Sequence, residues 1–238
     1  TFTLATHVTP DANLADGEAY LVDLSAGSIA STDVTRINIT GDADVDLGTL
    51  GTTALLRVDA TGATGAVTAD LSGVAQAVRY DGSSGVDTVT GTAFGDNIFG
   101  AGGNDVLNLG IGKDTVVYRG GSAASAQTEV TVSKAGTIDL TDTTAFEQIN
   151  GFEVGTDQIQ LEQFGFTAAG TNQAFQGVAT VDGVMDAQIA NFFQIAGSGN
   201  RAAVFVNDAD GAGNAFLFVD TNKDGNFTAN VDLAVVVT

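Results

Sequence analysis

Apolar and polar residues alternate along this chain in short runs, and the runs predict strands rather than helices. Arg36-Ile-Asn-Ile-Thr40, Leu56-Arg-Val-Asp59 and Val67-Thr-Ala-Asp-Leu71 each place an apolar side chain at every second position. Gly, Asp, Asn and Thr punctuate the gaps. Residues 120–127 are small and polar and read as a loop. Alternation resumes at Val130, Val132, Ile138 and Leu140, and then in 146–152 and 155–161. The end of the chain is strand-rich, at 203–206, 215–219 and 233–237. One helix is predicted, over 182–193. There Val184, Met185, Ile189, Phe192 and Phe193 recur at near-helical spacing behind Asp182 as an N-cap.

The middle of the chain is an internal repeat. Four nine-residue units follow without a gap: GSSGVDTVT (82–90), GTAFGDNIF (91–99), GAGGNDVLN (100–108) and LGIGKDTVV (109–117). Asp recurs at position six, as Asp87, Asp96, Asp105 and Asp114. An aliphatic residue follows two places later, as Val89, Ile98, Leu107 and Val116. Each unit therefore reads as a six-residue turn and a three-residue strand. Two units make one coil, so turns on the same edge lie eighteen residues apart, with stacked strands about 4.8 Å from one another. A looser repeat precedes these units. Arg36, Arg57 and Arg79 each open an alternating run, and a second run follows each at 44–47, 67–71 and 87–90.

These patterns give an all-β chain: a parallel β-roll or β-helix solenoid, then a C-terminal β-rich region with one short helix. The expected organisation is an N-terminal β segment over 1–33, the solenoid over 34–118 and the C-terminal region over 119–238.

Charge narrows the chemistry. Acids outnumber bases 29 to 8, for a formal net charge of −21. Nucleic-acid binding needs a basic footprint, and an anionic membrane surface would repel this chain. Divalent cations are the natural partner of crowded carboxylates. With no Cys and a single His, His7, the chain has neither disulfides nor the donors of a typical zinc site. No apolar stretch approaches the roughly 18 residues of a membrane span. The chain opens at Thr1 without Met or a charged-and-apolar leader, which fits a fragment or a processed product.

Stacked turns place Asp87 over Asp105 and Asp96 over Asp114. Each pair is expected to hold one cation together with main-chain carbonyls. Those are Gly82, Ser84, Ala101 and Gly103 at the first site, and Gly91, Ala93, Gly110 and Gly112 at the second. All-oxygen ligation rich in carbonyls favours Ca²⁺ over Mg²⁺, which demands tight octahedral geometry. Farther on, Asp220, Asn222 and Asp224, followed by Gly225, match the start of an EF-hand-like loop. Position twelve is Val231, however, and the nearest carboxylate is Asp232. A β-hairpin turn is the first reading there, and a partial calcium site, helped by Asp208 or Asp210, is the second.

The nonapeptides resemble the RTX (repeats-in-toxin) family of calcium-binding proteins. Residues 146–152 with 155–161, and the ending at 211–237, resemble the segments that follow RTX repeats in proteins exported by type I systems. That resemblance implies an extracellular or cell-surface location and an uncleaved C-terminal signal running a few residues past Thr238. The Gly/Ala/Thr/Asp-rich, Lys-poor sequence also looks like RTX-type S-layer proteins and adhesins. The implied function is a non-catalytic, calcium-folded structural or adhesive module. Its partners would be calcium and, through self-assembly or adhesion, further copies or cell-surface polysaccharide. The alternative is the non-catalytic tail of a secreted hydrolase or epimerase. A third reading takes the solenoid as a polysaccharide lyase with Arg57 or Arg79 as base; pairing of these arginines with nearby Asp is the simpler role. Neither His-Glu-x-x-His nor Gly-x-Ser-x-Gly occurs before the repeats.

Overall fold

The computed structural model describes residues 1–6, 21–23, 33–51, 54–119, 146–161, 173–181, 201–208, 214–221 and 232–238. Among them every regular element is a strand, so the chain is all-β. The helix expected over 182–193, the loop at 120–127 and the alternation at 130–140 lie outside the described residues. No helix among the described residues is long and apolar enough to cross a membrane. Two compact units are formed, Thr1–Val117 with Glu153–Ile159, and Tyr118–Phe152 with Gln160–Thr238.

The first unit is a parallel solenoid. Its odd strands are β1 (Phe2–Thr6), β3 (Arg36–Gly41), β5 (Arg57–Ala63), β7 (Arg79–Asp81), β9 (Asn97–Phe99) and β11 (Thr115–Val117). They lie side by side in that order, with β13 (Gln158–Gln160) next to β11. The even strands are β2 (Leu21–Asp23), β4 (Asp44–Thr49), β6 (Val67–Asp70), β8 (Thr88–Thr90) and β10 (Val106–Asn108), and they form a second parallel row. Strict alternation fixes which face goes inward, because a one-residue slip would turn every apolar side chain to water. Ile37, Val58, Tyr80, Ile98 and Val116 stack in register through the odd row, all fully buried. Val89 pairs with Ala69 on one side and Leu107 on the other in the even row.

The same register stacks Arg36 beside Arg57 and Arg57 beside Arg79, confirming the looser repeat as successive coils. A column of like charges would repel, and aspartates two residues on neutralise it. Asp59 takes the guanidinium groups of both Arg36 and Arg57, the latter at 2.9 Å. Asp81 takes Arg57 at 2.8 Å and Arg79 at 2.7 Å. Burial alone would raise the Asp59 carboxyl. Hydrogen bonds from Thr61 and the charges of Arg57 and Arg36 outweigh it and hold the group below the usual carboxylate range. Both arginines weighed as catalytic bases are thus committed to ion pairs. The column ends where the regular repeats begin: Asn97 pairs with Arg79, and Phe99 pairs with Asp81. Phe99 there joins Ala101 and Val117 in an apolar cluster.

In the second unit the strand order is β14 (Gln173–Val181), β15 (Arg201–Asp208), β16 (Ala215–Asp220), β17 (Leu233–Val237) and β12 (Glu147–Asn150). The β15–β16 and β16–β17 pairs are antiparallel, and β14–β15 and β12–β17 are parallel. Residues 216–219 and 233–237 are near-continuous apolar runs, as strands covered on both faces require. The Phe146 ring meets Phe216 and Phe218 edge-on, with centroids 5.3 and 6.2 Å apart.

Ile98 sits between Tyr80 and Val116 with no exposed surface, so truncation there removes one layer of a narrow core. Ile98→Ala is expected to lower unfolding stability by about 2–5 kcal/mol. Denaturant titration in calcium should show this as a lower midpoint at unchanged slope.

Candidate metal centre

Turns 82–87 and 100–105 lead into β8 and β10 and so share one edge of the solenoid; turns 91–96 and 109–114 lead into β9 and β11 and share the other. Strand register spaces each pair by one eighteen-residue coil. The coils approach so closely that several turn positions, Gly82 and Gly112 among them, admit only glycine. A Cβ on Gly82 would lie 1.9 Å from the Gly100 carbonyl oxygen. Gly112, at φ +144°, would place one 2.5 Å from the Phe94 backbone. Bonds from Gly102 N–H to the Ser83 carbonyl (3.0 Å) and from Ile111 N–H to the Thr92 carbonyl (3.2 Å) hold the turns together.

The position-six aspartates stack as expected. Asp87 N–H donates to Asp105 Oδ1 at 2.6 Å, and Asp96 N–H donates to Asp114 Oδ1 at 2.7 Å. Asp87 and Asp96 in turn accept the N–H groups of Val67 (2.8 Å) and Val78 (2.7 Å) in the coil before. All four carboxylates are buried. Burial pushes the Asp87 carboxyl up to about 6, against the hydrogen bonds it receives. Burial also pushes Asp114 up to about 6, with the charges of Asp96, Asp157 and Glu153 acting the same way. Without a cation, ionised carboxylates at these edges are held at an energetic cost.

The two turns of each pair differ. In the earlier turn, position two is Ser83 or Thr92, and it closes the turn on its own aspartate. Ser83 N–H and Oγ–H donate to Asp87 at 2.8 and 2.6 Å, while Thr92 N–H and Oγ1–H donate to Asp96 at 2.7 and 3.0 Å. Buried Tyr80 adds its O–H to Asp87 at 3.0 Å. In the later turn, position two is Ala101 (φ 79°) or Gly110 (φ 89°), both left-handed and without a hydroxyl. Asp114 Oδ2 is buried there with no hydrogen-bond donor. An isolated buried carboxylate oxygen is costly, and a bound cation would satisfy it.

Eight carbonyls were expected to complete the two sites: Gly82, Ser84, Ala101 and Gly103 on one edge, and Gly91, Ala93, Gly110 and Gly112 on the other. No backbone N–H of the described residues donates to any of them. The neighbouring Ser83 and Thr92 carbonyls, by contrast, are taken. Main-chain oxygens left over in stacked turns, beside paired aspartates, fit a hard cation that accepts six to eight oxygens. Among the described residues no group of three or more His, Cys, Asp or Glu side chains converges.

Of the C-terminal candidates, Asn222 and Asp224 lie outside the described residues. Asp220 is buried at the end of β16, just beyond the Val219–Leu233 pair, and buried Asp232 immediately precedes that pair. Thr221 N–H and Oγ1–H both donate to Asp232 Oδ1, at 2.9 and 3.2 Å.

Sequence reasoning missed Tyr80, Ser83 and Thr92 as supports of the aspartates. The hydroxyls at position two, against Ala101 and Gly110 in the later units, were the available signal. It also missed Asp157, whose Oδ1 accepts Asp114 N–H at 2.8 Å across 43 residues of chain.

No curated protein matches this chain. Residues 81–116 match the family model of the RTX calcium-binding nonapeptide repeat, in four copies. The match covers the four nonapeptides alone and supports calcium binding by this segment.

Proposed function

We propose that the chain is the calcium-folded, extracellular part of a type I-secreted surface protein, with a structural or adhesive role of the S-layer kind. The observation that carries this reading is the pairing of buried aspartates in turns whose carbonyls accept no backbone N–H of the described residues. Asp87 and Asp105, with Gly82, Ser84, Ala101 and Gly103, would hold one calcium ion. Asp96 and Asp114, with Gly91, Ala93, Gly110 and Gly112, would hold another. Asp220, with Asn222 and Asp224, would form a partial site for a further ion.

Calcium supplies positive charge where the chain has stacked negative charge, so binding energy becomes folding energy. Extracellular calcium modules commonly have Kd values of about 10⁻⁴–10⁻³ M. At about ten times Kd, each ion adds roughly 1.4 kcal/mol. Two ions then supply a sizeable part of a typical domain's net stability. Scarce calcium inside a cell leaves such a chain loose enough to export, and plentiful calcium outside folds it. The acidic surface, the absence of Cys and the column of paired arginines and aspartates support a structural solenoid over an enzyme. Self-assembly through calcium, or adhesion to cell-surface polysaccharide, would follow from the same exposed acidic coils. Attachment to a separate catalytic domain is the alternative, and the gene upstream of Thr1 distinguishes it.

Circular dichroism should show β signal lost in EGTA and recovered at millimolar calcium; an unchanged spectrum in EGTA contradicts the folding switch. Asp105→Ala and Asp96→Ala are each expected to bind one calcium ion fewer than the parent by native mass spectrometry. An unaltered count in both would contradict the pairing.

A further inference from the structure

The nine-residue period stops at Val117, yet the aspartate ladder continues. We infer that residues 152–157 form an additional turn of the roll and complete a further calcium site with turn 109–114, through Asp114 and Asp157. This rests on the calcium reading above and extends it to a segment outside the repeats.

Read as a turn, Phe152-Glu-Val-Gly-Thr-Asp157 puts Gly155 at position four and Asp157 at position six. Gly155 has φ +89°, in the left-handed region with the position-four glycines Gly103 (+115°) and Gly112 (+144°). Asp157 is 8% exposed. It accepts Asp114 N–H through Oδ1 and its own turn's Glu153 N–H through Oδ2, both at 2.8 Å. Asp96 makes the same two bonds, to Val78 and Thr92. Gln158 N–H then reaches the Asp114 carbonyl at 2.9 Å, as Thr115 N–H reaches the Asp96 carbonyl at 2.9 Å. The hydrogen bonding of one coil to the next is thus reproduced by a segment with no place in the repeat.

One observation beyond the hydrogen bonding points to a ligand: Asp114 is 1% exposed, and its Oδ2 has no hydrogen-bond donor. A Cβ on Gly155 would meet nothing within 4 Å, so position four of this turn opens onto free space. A buried carboxylate oxygen left without a donor is where a cation would be held. The Ile111 and Gly155 carbonyls, which accept no backbone N–H of the described residues, are the oxygens the turn register offers it. The Glu153 carbonyl already accepts Thr156 and Asp157 N–H, so its exposed side-chain carboxylate is the remaining donor on that turn. All-oxygen donors select calcium, as in the repeats. Bound there, the ion would tie the end of the roll to a strand that returns after residues 118–152, so calcium would also govern docking of that strand.

The test is the calcium count of the full chain by native mass spectrometry, with calcium as the only added metal. Asp157→Asn keeps an oxygen to accept Asp114 N–H but removes the charge. It is expected to bind one ion fewer than the parent, and to lose calcium-dependent amide protection over 153–159 while keeping it over 82–108. A count and protection equal to the parent's would overturn the inference, and if Asp105→Ala still loses an ion the repeat sites stand without it. A parent chain that binds no calcium would overturn both. If Asp157→Asn does not retain the β spectrum, Asp157→Glu carries the test. Its longer side chain should weaken one ion's affinity at least about tenfold, and unaltered affinities would overturn the inference.

Discussion

Everything in the roll depends on aspartates buried one above another at the edges of a parallel ladder. Side chains of one sign are stacked one coil apart, in a setting that resists their ionisation. Burial holds Asp87 and Asp114 up to about 6, and at Asp114 the charges of Asp96, Asp157 and Glu153 act the same way. Main-chain N–H groups from the coil before offset part of that cost, and Ser83, Thr92 and Tyr80 offset more at the earlier turns. Position two of the later turns, Ala101 or Gly110, carries no hydroxyl. On the proposed reading, a divalent cation between stacked turns would remove the repulsion and occupy carbonyls that no described backbone N–H uses.

The same fold solves a similar problem differently a few coils earlier. Where the coils are longer, the outward column is Arg36, Arg57 and Arg79, and Asp59 and Asp81 interleave with it as ion pairs. Charge there is balanced within the chain. In the repeats the arginines of the column disappear, Phe99 replaces its aspartate, and the aspartates move to the turns. On the proposed reading, neutralisation there would come from outside. One solenoid would then be stabilised by its own side chains in one part and by dissolved calcium in another.

Much of this was legible in the residues. Period-two alternation gave the strands, and the nine-residue period gave coil length and the stacking of Asp87 with Asp105 and of Asp96 with Asp114. Arginine spacing marked the irregular coils because their register is set by the same inward-facing column, from Ile37 to Val116. The role of Asp157 was hidden because a period carries no information about a segment that returns after a long excursion; only the backbone shows that its turn continues the ladder. Tyr80 was hidden because alternation marks a side chain as inward without revealing that its hydroxyl meets a carboxylate. Asp232 was visible as an acid near the loop at 220–225, but its contact with Thr221 depends on the β16–β17 pairing.

The most direct measurement is anomalous diffraction from crystals grown in millimolar calcium. Calcium peaks are expected between turns 82–87 and 100–105 and between turns 91–96 and 109–114, each flanked by its two aspartates. Density free of metal at both edges under those conditions would contradict the account.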